Sequence, residues 1–271
     1  MLSERVLVAV AFLPVGFAAF IMGGWLFTLF ALAVVVMAAR EYVNLFEPLG
    51  FKASAWIVLP GVVVLVGSRY IGGFSNAPLA LSLIVLATMA YHLVAYERGR
   101  ENAATDFAIS ISGIVYIGWL GAYFVSLRAL PDGMWWLFLV LPCIWLADSA
   151  AYFVGIRFGR HKLAPRLSPK KTWEGYFGGV IGGTLSGMLI GLIIGWLAPP
   201  WTVIDFWSGG VIGFLMGVLP TLGDLGESMI KRQVNVKDSG DIIPGHGGFF
   251  DRIDSWLWAG VIAYYAILWF F

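Results

Sequence analysis

An all-α, polytopic integral membrane fold of about nine transmembrane helices, with its working site at the cytoplasmic face, is the architecture this sequence predicts. Three observations carry that expectation. Hydrophobic residues make up 60% of the 271 and charged residues only 12%, against roughly 45–50% and about 25% in soluble domains. Apolar runs of the length a bilayer demands, about 20 residues, recur along the chain. The basic residues crowd into alternate connections between those runs, which is how membrane orientation is encoded.

The first run, Val6 to Ala39, is too long for one helix and is interrupted at Gly23-Gly24, so it divides into spans at 6–22 and 25–39. Its apolar start has no small-residue cleavage site and leads straight into a second span, which marks a retained helix rather than a signal peptide. The remaining spans are expected at 54–70, 77–96, 107–129, 134–157, 175–197, 204–222 and 254–271. Spans one to four, residues 1–100, form an N-terminal transmembrane region. Spans five to nine, residues 101–271, form a catalytic region with two long loops, 157–174 and 223–253. With the N-terminus inside, fifteen of the seventeen Lys and Arg lie on the inner side, and only Arg69 and Arg128 lie outside. The N-terminus and both long loops are therefore expected to be cytoplasmic.

Composition also excludes. A net charge of +1 gives no basic field for nucleic acid. The single cysteine, Cys143, lies in an apolar run, so there is no disulfide framework and no cysteine-based zinc site. No internal repeat or heptad pattern is present. The mid-span glycines Gly178, Gly179, Gly182 and Gly183 follow no strand and suit close helix packing rather than dinucleotide binding.

The polar residues gather late. Residues 157–174 hold six Lys and Arg and one acid, which is a topology signal attractive to anionic headgroups. Within them, Ser168-Pro169-Lys170-Lys171-Thr172-Trp173-Glu174 predicts a turn at Pro169 presenting Lys170 and Lys171, with Thr172 capping the helix that follows. Paired ammonium groups beside a helix N-terminus suit phosphate. Asp148 places a carboxylate inside an apolar span, at a cost of roughly 2.5–3.5 kcal/mol that usually marks function.

In the second loop, Asp224, Glu227, Ser228 and Lys231 share one face if the eighth helix runs on past Gly223. Asp251 and Asp254 are likewise one turn apart at the start of the last helix. Two carboxylate pairs can thus converge, and hard oxygen ligands of this kind suit Mg²⁺ completed by substrate phosphates. Between the pairs, the turn around His246-Gly247-Gly248 offers backbone N–H groups to an anion. His92 and His161 read as structural. Clustered acids, paired lysines and a glycine turn at the mouth of a helical bundle describe phosphoryl or nucleotidyl transfer to a lipid.

The stretch Ser228 to Asp254 resembles the signature of the phosphatidate cytidylyltransferases at every specified position: Ser228, Lys231-Arg232, Lys237-Asp238, Pro244, His246-Gly247-Gly248, Asp251-Arg252 and Asp254. The resemblance extends to Ser168–Glu174, to the Asp148 region and to length. It implies transfer of CMP from CTP to phosphatidate, giving CDP-diacylglycerol and pyrophosphate. It further implies a bacterial cytoplasmic (inner) membrane setting, Mg²⁺ held by Asp224 and Asp251, a monovalent cation such as K⁺, and a homodimer. Asp254, Asp148 and Glu227 are then supporting or alternative ligands. Lys170, Lys171, Lys231, Arg232, Lys237 and Arg252 are phosphate contacts, alongside Ser168, Ser228 and Asp238 as substrate contacts. His246 either orients the triphosphate with Gly247 and Gly248 or acts as an acid or base. Two rivals stay open: a CTP-dependent lipid kinase attacking the γ-phosphorus, and an ion-coupled transporter. The second is disfavoured because the acids gather at one face and in the last half of the chain.

Overall fold

The computed structural model describes residues 14–240 and 247–271. It is helical apart from one short hairpin, and among the described residues eight helices are long and apolar enough to cross a membrane. The chain is an integral membrane protein. Of the predicted first span, residues 6–13 lie outside the described residues, while 14–22 form helix α1. The break at Gly23-Gly24 is found where expected. Both glycines have positive φ, 64° and 56°, which residues with a side chain rarely adopt.

The helices divide into two compact units, Met1–Ser126 with Lys231–Ile253 and Leu127–Ile230 with Asp254–Phe271. The first holds α1, α2 (Gly24–Leu45), α3 (Ala55–Gly72), α4 (Ala77–Glu97), α5 (Ala103–Gly113) and most of α6 (Tyr123–Arg128). A π-helical stretch, Ile114–Trp119, joins α5 to α6 within a single span. Helix α2 packs on α3 and on that stretch around Val35, Ala38, Val58, Val62, Leu65, Ile114 and Ile117, all buried. The approach is close because glycines allow it: a methyl at Gly113 would lie 2.8 Å from the Tyr42 ring, and one at Gly121 2.7 Å from Val35. Buried Asp106 accepts bonds from the Lys52 N–H (2.8 Å) and Arg100 Nε (2.6 Å), bracing two connections of this unit.

The second unit is built on α7 (Gly133–Phe158), α8 (Trp173–Leu197) and α9 (Phe206–Val218), with α10 (Thr221–Gln233) as far as Ile230 and α11 (Phe250–Phe270) from Asp254 onward. Helix α8 explains its own placement. Gly175, Gly179, Gly183, Gly187 and Gly191 recur every four residues and are buried, while Trp173, Phe177, Ile181, Leu185 and Leu189 recur on the opposite side and are exposed. A four-residue step follows one helix face. One side is therefore a smooth groove for α7 and α9, as the mid-span glycines predicted, and the other is an apolar ridge suited to lipid.

Two local expectations are corrected and a third holds with a break. Residues 168–172 are not a turn. Lys162–Ala164 (β1) pairs antiparallel with Ser168–Thr172 (β2), because Pro169 with its fixed φ suits an extended edge strand and the reversal occurs at Pro165–Leu167. Thr172 does cap α8, its Oγ1 accepting the Gly175 N–H at 3.1 Å. The eighth span is broken at residues 219–220, where α9 ends at Val218 and α10 starts at Thr221, since Pro220 has no N–H for the ladder; helix then runs on past Gly223 as expected, so Asp224, Glu227, Ser228 and Lys231 share α10. The last helix starts four residues early, at Phe250.

Asp205 caps α9. Its Oδ1 accepts the Ser208 N–H at 2.7 Å, and Ser208 Oγ accepts the Asp205 N–H at 2.7 Å. The Ser208 N–H, with further backbone N–H groups, holds the Asp205 carboxyl below its ordinary pKa. A lowered folded-state pKa means stabilisation present above the unfolded value near 3.9 and lost as pH falls through the folded one. Asp205→Ala should cost about 1 kcal/mol at neutral pH. Thermal melts in detergent should show that difference shrinking below about pH 4.

Candidate active site

Helix ends and the hairpin bring four charged side chains of the second unit together. Strand alternation sends Lys170 outward to an exposed position and turns Lys171 inward. There Lys171 Nζ meets Asp224 Oδ2 at 2.5 Å, with both side chains about one-third exposed. Asp224 sits in the first turn of α10, immediately after the Pro220 break. Gly223 makes this possible: a methyl there would strike the Asp254 carbonyl oxygen and lie 2.8 Å from Trp258. The starts of α10 and of the α11 segment in this unit therefore touch backbone to backbone.

Asp254 is buried, with its Oδ1 taking the Ser255 N–H at 2.5 Å. It lies in the field of Asp224, Asp148 and Lys171. Asp148, from α7, feels Lys171 and Asp224 in turn, and its side chain reaches the surface although protein surrounds it densely. Three carboxylates thus share one ammonium, leaving two negative charges in excess when all are ionised. A divalent cation fits that imbalance and that oxygen chemistry. Among the described residues no three acids or histidines close into a cage, and Mg²⁺ needs none, since one or two carboxylates with substrate phosphates and water satisfy it. Ser228 Oγ reaches Asp224 Oδ1 at 3.4 Å, and Glu227 is buried on the same helix.

The first unit gathers the rest of the signature. Asp251 Oδ1 accepts Lys231 Nζ at 2.5 Å, its Oδ2 accepts the N–H groups of Ser239 and Gly248, both at 2.9 Å, and the Ser239 hydroxyl lies 2.9 Å from the same oxygen. The Gly248 N–H, expected to receive a substrate anion, is therefore given to the protein's own carboxylate. Gly247 has φ of 77°, and a methyl on it would lie 2.8 Å from Asp251 Oδ2. Predicted contacts Arg232, Lys237, Asp238 and Arg252 are exposed. Ser168 is paired with Ala164 in the hairpin, and His246 lies outside the described residues. His92 Nε2 meets Ser110 Oγ at 3.1 Å and His161 Nδ1 meets Glu174 Oε1 at 2.6 Å.

One residue escaped the sequence reading. Glu41, near the end of α2, is buried and accepts the N–H groups of Phe249 and Phe250, both at 2.9 Å, with the Ser239 hydroxyl 3.1 Å from its Oε2. Its partners lie about two hundred positions away in sequence. The available signal was an acid that a helix longer than 25–39 would carry into a span.

Comparison with known proteins shows the family. A family model described as the cytidylyltransferase family matches residues 3–270. A phosphatidate cytidylyltransferase of Pseudomonas aeruginosa is 37% identical, covering 99% of this chain and 97% of that protein. A namesake from Synechocystis sp. is 31% identical over 98% and 96%, and one from Bacillus subtilis 32% identical over 86% and 87%. With the match running almost end to end and every signature residue in place, the chain belongs to the cytidylyltransferase family.

Proposed function

We propose that this protein transfers the cytidylyl group of CTP to phosphatidate. A phosphate oxygen of the lipid attacks the α-phosphorus, the bond between the α-phosphorus and the bridging oxygen breaks, and CDP-diacylglycerol and pyrophosphate leave. The observation that carries this reading is the nearly full-length match to relatives of that name, 31–37% identical.

The chemistry asks for little covalent help and much charge compensation, because two anions must meet. Asp224, with Asp254 and Asp148 beside it, is the set suited to hold Mg²⁺, which when bound neutralises charge on the triphosphate. Asp251 already accepts from Lys231 and from the Ser239 and Gly248 N–H groups, so direct ligation by it would exchange Lys231 for the cation. Lys171 supplies a positive charge next to Asp224, and Lys170, Arg232, Lys237 and Arg252 present cations at the surface for phosphate. Fifteen of seventeen basic residues fall on one side of the predicted spans, which supports a cytoplasmic location for the reaction.

The test is transfer from CTP labelled at the α or the γ phosphate, with purified protein, phosphatidate and Mg²⁺. Label from the α position should enter lipid. Label from the γ position would mean a lipid kinase instead. Omitting K⁺ tests the monovalent requirement, and light scattering in detergent tests the homodimer.

A further inference from the structure

We infer that Glu41 is a positioning residue for the transfer reaction, holding the start of α11 directly after Gly247-Gly248 and, through Ser239, the carboxylate of Asp251. The inference rests on the cytidylyltransferase reading and adds a residue outside the signature.

The geometry is that of a clamp. The N-terminus of α11 presents unsatisfied N–H groups, and the Glu41 carboxylate takes two of them, Phe249 to Oε1 and Phe250 to Oε2. A negative charge at a helix N-terminus is favourable. The same carboxylate receives Ser239 Oγ, which also lies 2.9 Å from Asp251 Oδ2. One hydroxyl thus stands between two carboxylates, and the Asp251 N–H donates back to it at 3.3 Å. Two described stretches meet one buried acid: Ser239 on one, Phe249 and Phe250 at the start of α11 on the other.

The glycines record how tight this is. A methyl at Gly248 would be driven into Glu41 Oε2 and Ser239 Oγ, and one at Gly240 would lie 3.0 Å from the Glu41 carboxylate. Helix α2 alone could end at this point with any polar residue. What requires a carboxylate is that two backbone N–H groups converge on its two oxygens with the Ser239 hydroxyl beside them, and an amide would turn its NH₂ toward the Phe250 N–H.

Glu41→Gln, Ser239→Ala and the double variant should be purified as full chains and assayed for CDP-lipid formation per monodisperse protein. Misplacing a reacting group by about 1 Å costs on the order of 10²-fold. Glu41→Gln is therefore expected to lower kcat roughly 10- to 100-fold with KM for CTP changed less than about threefold. Ser239→Ala should lower kcat in the same direction, and the double variant should lose clearly less than the product of the two single losses, because both act in part through the shared Glu41–Ser239–Asp251 link. A merely structural residue would lower the melting temperature and leave kcat per folded molecule unchanged. A kcat for Glu41→Gln close to that of the unmodified protein overturns the inference, as does a double variant whose loss is the product of the single ones. If Glu41→Gln does not fold, unchanged kcat in Ser239→Ala overturns it. Absence of transfer by the unmodified protein sinks the cytidylyltransferase reading itself, a separate result.

Discussion

Asp224→Asn should remove CDP-lipid formation while leaving a folded, membrane-inserted protein. The two halves of that expectation have different physical sources. Asp224 and Lys171 are each about one-third exposed, and an ion pair so open to water contributes about 0–1 kcal/mol. Its removal also relieves repulsion from Asp148 and Asp254, whose fields reach Asp224. The melting temperature should therefore move by no more than a few degrees. Activity is another matter, because losing one group of a preorganised electrostatic site costs on the order of 10²–10³-fold. Steady-state turnover and a melt on the same preparation decide it: near-normal turnover in a folded Asp224→Asn variant would remove Asp224 from the site. Asp251→Asn should differ in kind. It removes the carboxylate that holds Lys231, Ser239 and Gly248, so turnover and melting temperature should fall together.

How much of this was legible depends on the range of the interaction. Spans follow from composition within one helix length, and the glycine break at 23–24 and the packing role of the α8 glycines follow from local stereochemistry. The Thr172 cap is equally local. The hairpin was not legible, since Lys162–Ala164 has no alternating apolar pattern and is a strand only because Ser168–Thr172 pairs with it. The signature residues were found as a sequence pattern, but their grouping was not. Asp251 and Asp254, one helical turn apart, fall in different units, with Asp254 in the field of Asp224 and Asp148 and Asp251 bonded to Lys231. Glu41 was invisible because its partners lie about two hundred positions away in sequence.

The largest loss of stability should come from a residue with no chemistry at all. Gly187 lies mid-helix in α8 where that helix crosses α9. A methyl placed on it would be driven into the Gly209 carbonyl oxygen and would lie 2.8 Å from Gly213 Cα. The obstacles are backbone atoms of a helix whose own Gly209 and Gly213 meet Gly187 in return, so no rotamer change relieves the clash and the helices must separate. Two effects oppose each other in Gly187→Ala. Helix propensity gains about 1 kcal/mol, while overpacking costs typically 1–3 kcal/mol and more against rigid backbone. The second should win, and Gly187→Leu, which adds a branched side chain to the same gap, should cost at least about 3 kcal/mol. Gly67 in α3 supplies the control, because nothing lies within 4 Å of a methyl there. Gly67→Ala should be neutral or raise the melting temperature slightly. Melts of the three variants in one detergent test the ranking, and a Gly187→Leu protein as stable as the Gly67→Ala control would mean that α8 and α9 are not packed backbone to backbone.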